Sequence, residues 1–127
     1  MEDEVIKFTI RGKAPSKSNC YKIITLSNHA SLAKTKQLRE YEKMFFLQFP
    51  GEHRDKNLNH FFTLKGTVYY PANRADLDNS LKIILDCLEK VTKTIKNDNK
   101  CIEIHVKKGV DKLDPRIEME LVVHTNL

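Results

Sequence analysis

FTLKGTVYYPANRADLDNSLKIILDCLEKV, residues 62–91, is the stretch that decides the architecture. Phe62, Leu64, Val68 and Tyr70 share parity, so they fall on one face of a long strand. Pro71 has no N–H to give a ladder and ends that strand. Gly66, in its middle, marks a bulge or a close backbone approach. From about Asp76 to Val91 the apolar period changes from two to three and four. Leu77, Leu81, Ile84, Leu85 and Leu88 then form one helical stripe. A one-faced strand feeding a one-striped helix buries both faces by laying the helix on the sheet.

Working outward, Val5 to Arg11 alternates, with Ile6, Phe8 and Ile10 on one side and Lys7 and Thr9 on the other, which predicts a half-buried strand. Gly12-Lys-Ala-Pro-Ser-Lys-Ser-Asn19 breaks the pattern and reads as an ordered loop. Between about Ser31 and Phe49, Leu38, Tyr41, Phe45 and Phe49 recur at three- and four-residue steps, which predicts a helix stopped by Pro50-Gly51. Glu52 to Asn59 is a polar turn or exposed loop. Downstream, Ile102, Ile104 and Val106 oppose Glu103, His105 and Lys107, and Ile117, Met119, Leu121 and Val123 oppose Glu118 and Glu120. Two strands follow, joined through Lys108 to Pro115 as a loose hairpin. The expected order is β-α-β-α-β-β, an α+β fold with a mixed four-stranded sheet and two helices. A chain of 127 residues accommodates this as one domain, 1–127.

Composition narrows the function. Hydrophobic residues at 40% and charged residues at 31% exclude a disordered tail or a fibre. A formal charge of +5 suits a polyanionic partner such as nucleic acid. Cys20, Cys87 and Cys101 form neither a disulfide framework nor a zinc ribbon, which points to a reducing compartment. The acidic start Met1-Glu-Asp-Glu4 lacks the layout of a signal peptide, and no apolar run reaches the ~18 residues of a membrane span. The expected location is the cytoplasm.

Periodicity does not account for Arg74-Ala-Asp76-Leu-Asp78-Asn79, where two carboxylates crowd a strand-to-helix junction. Lys82 follows Asp78 by one helical turn, and Asn97-Asp98-Asn99 precedes the next strand. Carboxylates drawn together repel unless a cation sits among them, and hard oxygen ligands favour Mg²⁺ or Mn²⁺. Such an ion beside a lysine is sufficient equipment for phosphodiester hydrolysis. The residues alone leave another reading open. Asp76 caps the helix, Asp78 complements its dipole, Asp78, Lys82 and Asp86 form a surface ladder, and Asp98 is turn chemistry. Spacing also leaves open whether the strands around Thr67 and Cys101 pair antiparallel, which brings Asp98 to the junction directly, or parallel.

Arg74-Ala-Asp76-Leu-Asp78-Asn79-Ser-Leu-Lys82, then Leu85-Asp86-Cys-Leu88, then Asn97-Asp98, resembles the signature of the RusA family of Holliday junction resolvases, most closely between Tyr70 and Val106. Asn97 stands where some members carry an acid, and Thr92-Lys-Thr-Ile95 where a glycine is common. The resemblance implies a bacterial or phage-encoded endonuclease of recombination and repair. It implies cleavage of four-way DNA junctions by a homodimer with Mg²⁺ or Mn²⁺. It places the metal on Asp76, Asp78 and Asp98, and an essential lysine at Lys82. The rivals are a nuclease of flaps or forks and a non-catalytic basic DNA-binding module.

Lys13, Lys17, Asn19, Lys22 and Arg74 are candidate DNA contacts, the cations through phosphate. Phe61, Phe62, Tyr69 and Tyr70 offer rings for stacking on bases, although the inward-facing pair belongs in the core. The five histidines lack metal-ligand spacing, and His105 on a polar strand face reads as solvated.

Overall fold

Strand β1 (Glu4–Arg11) buries Ile6, Phe8 and Ile10, as its alternation dictates. The computed structural model describes residues 3–126. Strands β4 (Phe62–Tyr70), β5 (Cys101–Val110) and β6 (Arg116–Val123) join β1 in a four-stranded sheet of order β1-β6-β4-β5. β6 runs antiparallel to both its neighbours, and β5 runs parallel to β4, so the sheet is mixed. The expected hairpin between the last two strands is therefore corrected: β4 lies between β5 and β6. The connection arches over the end of β4, where Asp111 N–H donates to the Tyr70 carbonyl at 2.8 Å. Helix α2 makes β5 parallel by carrying the chain back along the sheet before β5 begins.

Helix α1 (Lys36–Gln48) starts later than its periodicity predicts. Ser31 to Lys34 are not helical but belong to a separate two-stranded ribbon, β2 (Tyr21–Leu26) with β3 (His29–Lys34). Ser27 and Asn28, at φ 48° and 69°, make the two-residue turn between them, the left-handed geometry that matches strand twist. Thr35 sets the helix start, its Oγ1 accepting from Leu38 N–H at 3.3 Å. The α1 stripe then packs on β1 through rings: Phe8 lies 5.8 Å from Phe45 and 5.0 Å from Phe49 between centroids.

Helix α2 (Leu77–Asp86) continues into a wider π-helical turn, Cys87–Val91. Ile83, Ile84, Cys87 and Leu88 are buried with Phe62, Leu64, Val68 and Tyr70 beneath them. Each such side chain contributes ~1.5–3 kcal/mol on leaving water. The opposite sheet face carries Lys7, Thr9, Lys65, Thr67, Glu118 and Glu120 around a shallow concavity of about 470 Å³. Gly66 is a close approach: at φ 146°, any Cβ on it overlaps the Glu118 carbonyl oxygen.

Candidate active site and nucleic-acid interface

Tyr70 ends β4 and Asp76 is the residue from which α2 starts, so the segment between them is held at both ends. Inside the fold, the Tyr70 hydroxyl donates to Ser80 Oγ at 2.7 Å, and Ser80 Oγ donates to the Pro15 carbonyl at 3.2 Å. Lys108 of β5 adds a bond from Nζ to the Ala75 carbonyl at 2.8 Å, one residue before Asp76. Neither Ser80 nor Lys108 stands out in the sequence, because a serine within a helix and a lysine on an edge strand are ordinary surface choices there.

These ties bring the Pro15 loop against the start of α2 and leave a cleft of about 420 Å³. Lys13, Ser16, Ser18 and Asn19 line one side; Arg74, Asp76 and Asn79 line the other. Lys13, Asn19, Arg74 and Asp76, far apart in the chain, thus share one wall-to-wall space. Lys17 and Lys22 are exposed beside it and do not line it. The concavity on the polar sheet face, of similar size, contains none of the acidic cluster.

Asp76 has the backbone of a helix-capping residue, φ −88° and ψ 123°, yet its carboxylate makes no capping hydrogen bond. Asp78 lies in the first turn of α2, where an anion is favoured by the helix dipole. Both are exposed, and among the described residues neither carboxylate hydrogen-bonds or ion-pairs with a protein group. Their negative charge reaches Tyr70. Burial first holds that phenol above its ordinary range, the Ser80 hydrogen bond pulls the other way, and Asp76 and Asp78 add to the upward push. Uncommitted carboxylates are the kind of hard-oxygen donor that a divalent ion such as Mg²⁺ takes, one or two at a time, completing its shell with phosphate and water oxygens.

Asp98 is placed differently. The parallel pairing of β4 with β5 puts the start of β5 at the sheet end away from the Tyr70 junction. The turn Asp98–Lys100 lies along the flank of α2, where Asp98 N–H donates to Glu89 Oε1 at 2.8 Å. Lys82 Nζ lies 2.7 Å from Asp98 Oδ2 and 3.1 Å from Asp86 Oδ1. Its hydrogen bonds to Asp98, then Asp86, hold its pKa well above the usual lysine range, so it is a fixed cation. Among the described residues, no three His, Cys, Asp or Glu side chains stand close enough together to hold a metal ion. Glu89, which fixes the Asp98 turn, escaped sequence reasoning because a glutamate near a helix end carries no signal of its own.

The aromatic pairs divide by burial. Phe62 and Tyr70 are core residues. Phe61 lies under Lys100 Nζ at 4.8 Å, and Tyr69 under the Arg116 guanidinium at 4.1 Å. His105 lies 3.0 Å from Glu103, an exposed pair on the polar strand face. No helix among the described residues is long and apolar enough to cross a membrane.

Comparison with curated proteins gave no match. The sequence profile of the family described as Endodeoxyribonuclease RusA matches residues 13–122, which takes in the cleft, both helices and three of the four strands of the main sheet, leaving out β1. With that match over most of its length, the chain belongs to the RusA endodeoxyribonuclease family.

Proposed function

We propose that this chain is a divalent-metal-dependent endonuclease that resolves four-way DNA junctions as a homodimer, by symmetric phosphodiester hydrolysis. One observation carries the reading. At the mouth of a cleft lined by Lys13, Asn19 and Arg74, Asp76 stands in capping position with its carboxylate uncommitted. A cap would have used that group; a nuclease needs it free.

Asp76 and Asp78 are the residues that would hold Mg²⁺ or Mn²⁺; the family resemblance adds Asp98 as a third acid, which here is bonded to Lys82 and would have to leave that lysine to join them. When bound, such an ion supplies Lewis acidity toward a phosphate and lowers the pKa of water. The chain's own groups do the rest. Lys13 and Arg74 neutralise phosphate oxygens and hold the backbone in the cleft, and Arg74 has a fork that can engage two oxygens at once. Asn19 and Asn79 offer amide donors and acceptors that orient the strand. Lys82 keeps its proton on Nζ and places a fixed positive charge on the α2 flank, where negative charge grows as the phosphate is attacked. Two opposed strands must be cut and one chain carries one such site, which calls for two copies related by a twofold axis.

The experiment is a cleavage assay on matched four-way junction, fork, flap and linear duplex, with Mg²⁺, with Mn²⁺ and with chelator. Paired nicks in the junction that depend on the ion are the expected result. Preference for forks or flaps moves the substrate within branched DNA. Binding without cleavage under every condition, together with no effect of Asp78→Asn, establishes a non-catalytic module instead.

A further inference from the structure

The β2–β3 ribbon carries a feature that the cleft does not explain. Ile23 and Leu32 are direct cross-strand partners on one face, and they are 76% and 70% exposed. The ribbon packs chiefly on itself and on the Lys17–Asn19 turn at its root. Two aliphatic side chains held side by side in water, on an element with so little other support, mark a surface that something else covers.

Charge identifies the occupant. From Gly12 to Arg39 the chain has Lys13, Lys17, Lys22, Lys34, Lys36 and Arg39 and not one Asp or Glu. That is six positive charges in a chain whose total is +5, so everything outside the segment nets −1. Lys34 is partly answered by Glu42 at 2.9 Å; among the described residues the others meet no carboxylate except Lys36, 3.8 Å from Glu40. A second copy of the ribbon would bring like charge against like charge. A polyanion would not. The root of the ribbon is also a wall of the cleft: Thr35 N–H donates to the Cys20 carbonyl at 2.9 Å and Thr35 Oγ1 to the Asn19 carbonyl at 2.8 Å. Whatever lies on the ribbon is therefore held in register with what lies in the cleft.

We infer that the ribbon is a branch-reading arm, and that Ile23 and Leu32 enter between bases at the point where DNA strands separate. Apolar wedges with basic flanks part base steps in this way, and a two-stranded ribbon fits a groove. Bases at a branch are already poorly stacked, so the wedge enters there readily, whereas an intact duplex must first be unstacked. The pair thereby separates branched from linear DNA without reading sequence. This inference rests on the nuclease reading above, since it is that substrate the arm would sort.

The test places 2-aminopurine beside the branch point of a four-way junction and follows its emission in chelator, so that binding is seen without cutting. The parent chain should raise the emission, and the variant I23S/L32S should not. That variant should bind the junction about tenfold more weakly, yet bind linear duplex as the parent does. I23V/L32M, which keeps the apolar pair, should behave as the parent. Equal emission and affinity for I23S/L32S overturn the arm. So does a drop in sedimenting mass on that substitution, which would put a second copy on the ribbon. If the parent cuts the junction while I23S/L32S behaves identically, only the arm falls. If the parent neither binds nor cuts branched DNA, the nuclease reading falls and the arm with it.

Discussion

The Tyr70 hydroxyl lies 2.7 Å from Ser80 Oγ, in a place with no water access, and this contact joins the last residue of β4 to the second turn of α2. Ser80 passes the bond on to Pro15, so one serine holds strand, helix and loop together. Ser80→Ala should leave both the Tyr70 hydroxyl and the Pro15 carbonyl short of a partner, at a cost of about 2–3 kcal/mol. Tyr70→Phe removes one end and leaves Ser80 bonded to Pro15, at about 1 kcal/mol. Urea denaturation of the two variants checks the order. Equal losses would contradict the chain of bonds described.

Lys82 is half exposed between Asp98 and Asp86, and surface pairs of that kind contribute about 0–1 kcal/mol. Lys82→Ala should therefore shift the melting temperature by only a few degrees while slowing junction cleavage by about 10²–10³. A large loss of stability would make Lys82 a structural residue.

Asp78→Asn keeps shape and removes charge. Cleavage should fall by about a hundredfold or more, while junction affinity in a gel-shift assay stays level or rises, because an anion no longer faces the phosphates. Cutting at the parent rate would displace Asp78 from the site.

Glycines 66 and 109 contrast. An alanine at Gly66 meets rigid backbone, the Glu118 carbonyl oxygen and Met119 Cα, at a φ of 146° that L-residues rarely adopt. The expected loss is about 3 kcal/mol or more. At Gly109 the added Cβ meets ring atoms of Tyr69 at 2.7 and 2.8 Å. That ring can move, giving up its contact with Arg116, so about 1 kcal/mol is expected. Thermal melts of the two variants separate these outcomes.

Acid should loosen the arch over β4. The hydrogen bond from Arg116 holds the Asp111 carboxyl below the usual carboxylate range, and backbone N–H groups of Asp114 and Leu113 assist. A pKa lowered by folding gives stability that is present above the unfolded value, about 4, and is lost as pH falls through the lower folded one. Melting temperature should drop more steeply below about pH 4 in the parent than in Asp111→Asn. Parallel curves would assign the acid transition to other carboxylates, Glu103 with His105 among them.

What the sequence announces depends on burial. The stripe of α1 and the alternation of β1, β4 and β6 are legible because one side of each is in the core, whereas on α2 the buried side is turned from the expected stripe, with Ile83 and Cys87 inside and Leu77, Leu81 and Leu85 only partly covered. β2 and β3 leave no such trace: Ile23 and Leu32 face water, so Ser31 to Lys34 read as the start of a helix. β5 is half exposed on both faces, and nothing in its pattern says that it runs beside β4 rather than β6. At the site, Arg74, Asp76, Asp78 and Asn79 are legible together because the motif sits where strand turns to helix, whereas the sequence does not say that Lys13 and Asn19 line its cleft and Lys17 and Lys22 do not, since the Ser80–Pro15 bond that draws the loop in leaves no trace. The place of Asp98 is not legible either, because it depends on the direction of β5 and on how Glu89 and Lys82 fasten the preceding turn.

β6 has a neighbour on each side, β1 from one end of the chain and β4 from its middle. Of the strands it leaves the ribosome last. Until it does, β1 has no partner in the main sheet, and the platform beneath α2 is missing its middle plank. A chain cut short before Arg116 lacks the strand that joins β1 to β4, and should leave β1 unpaired and the sheet incomplete.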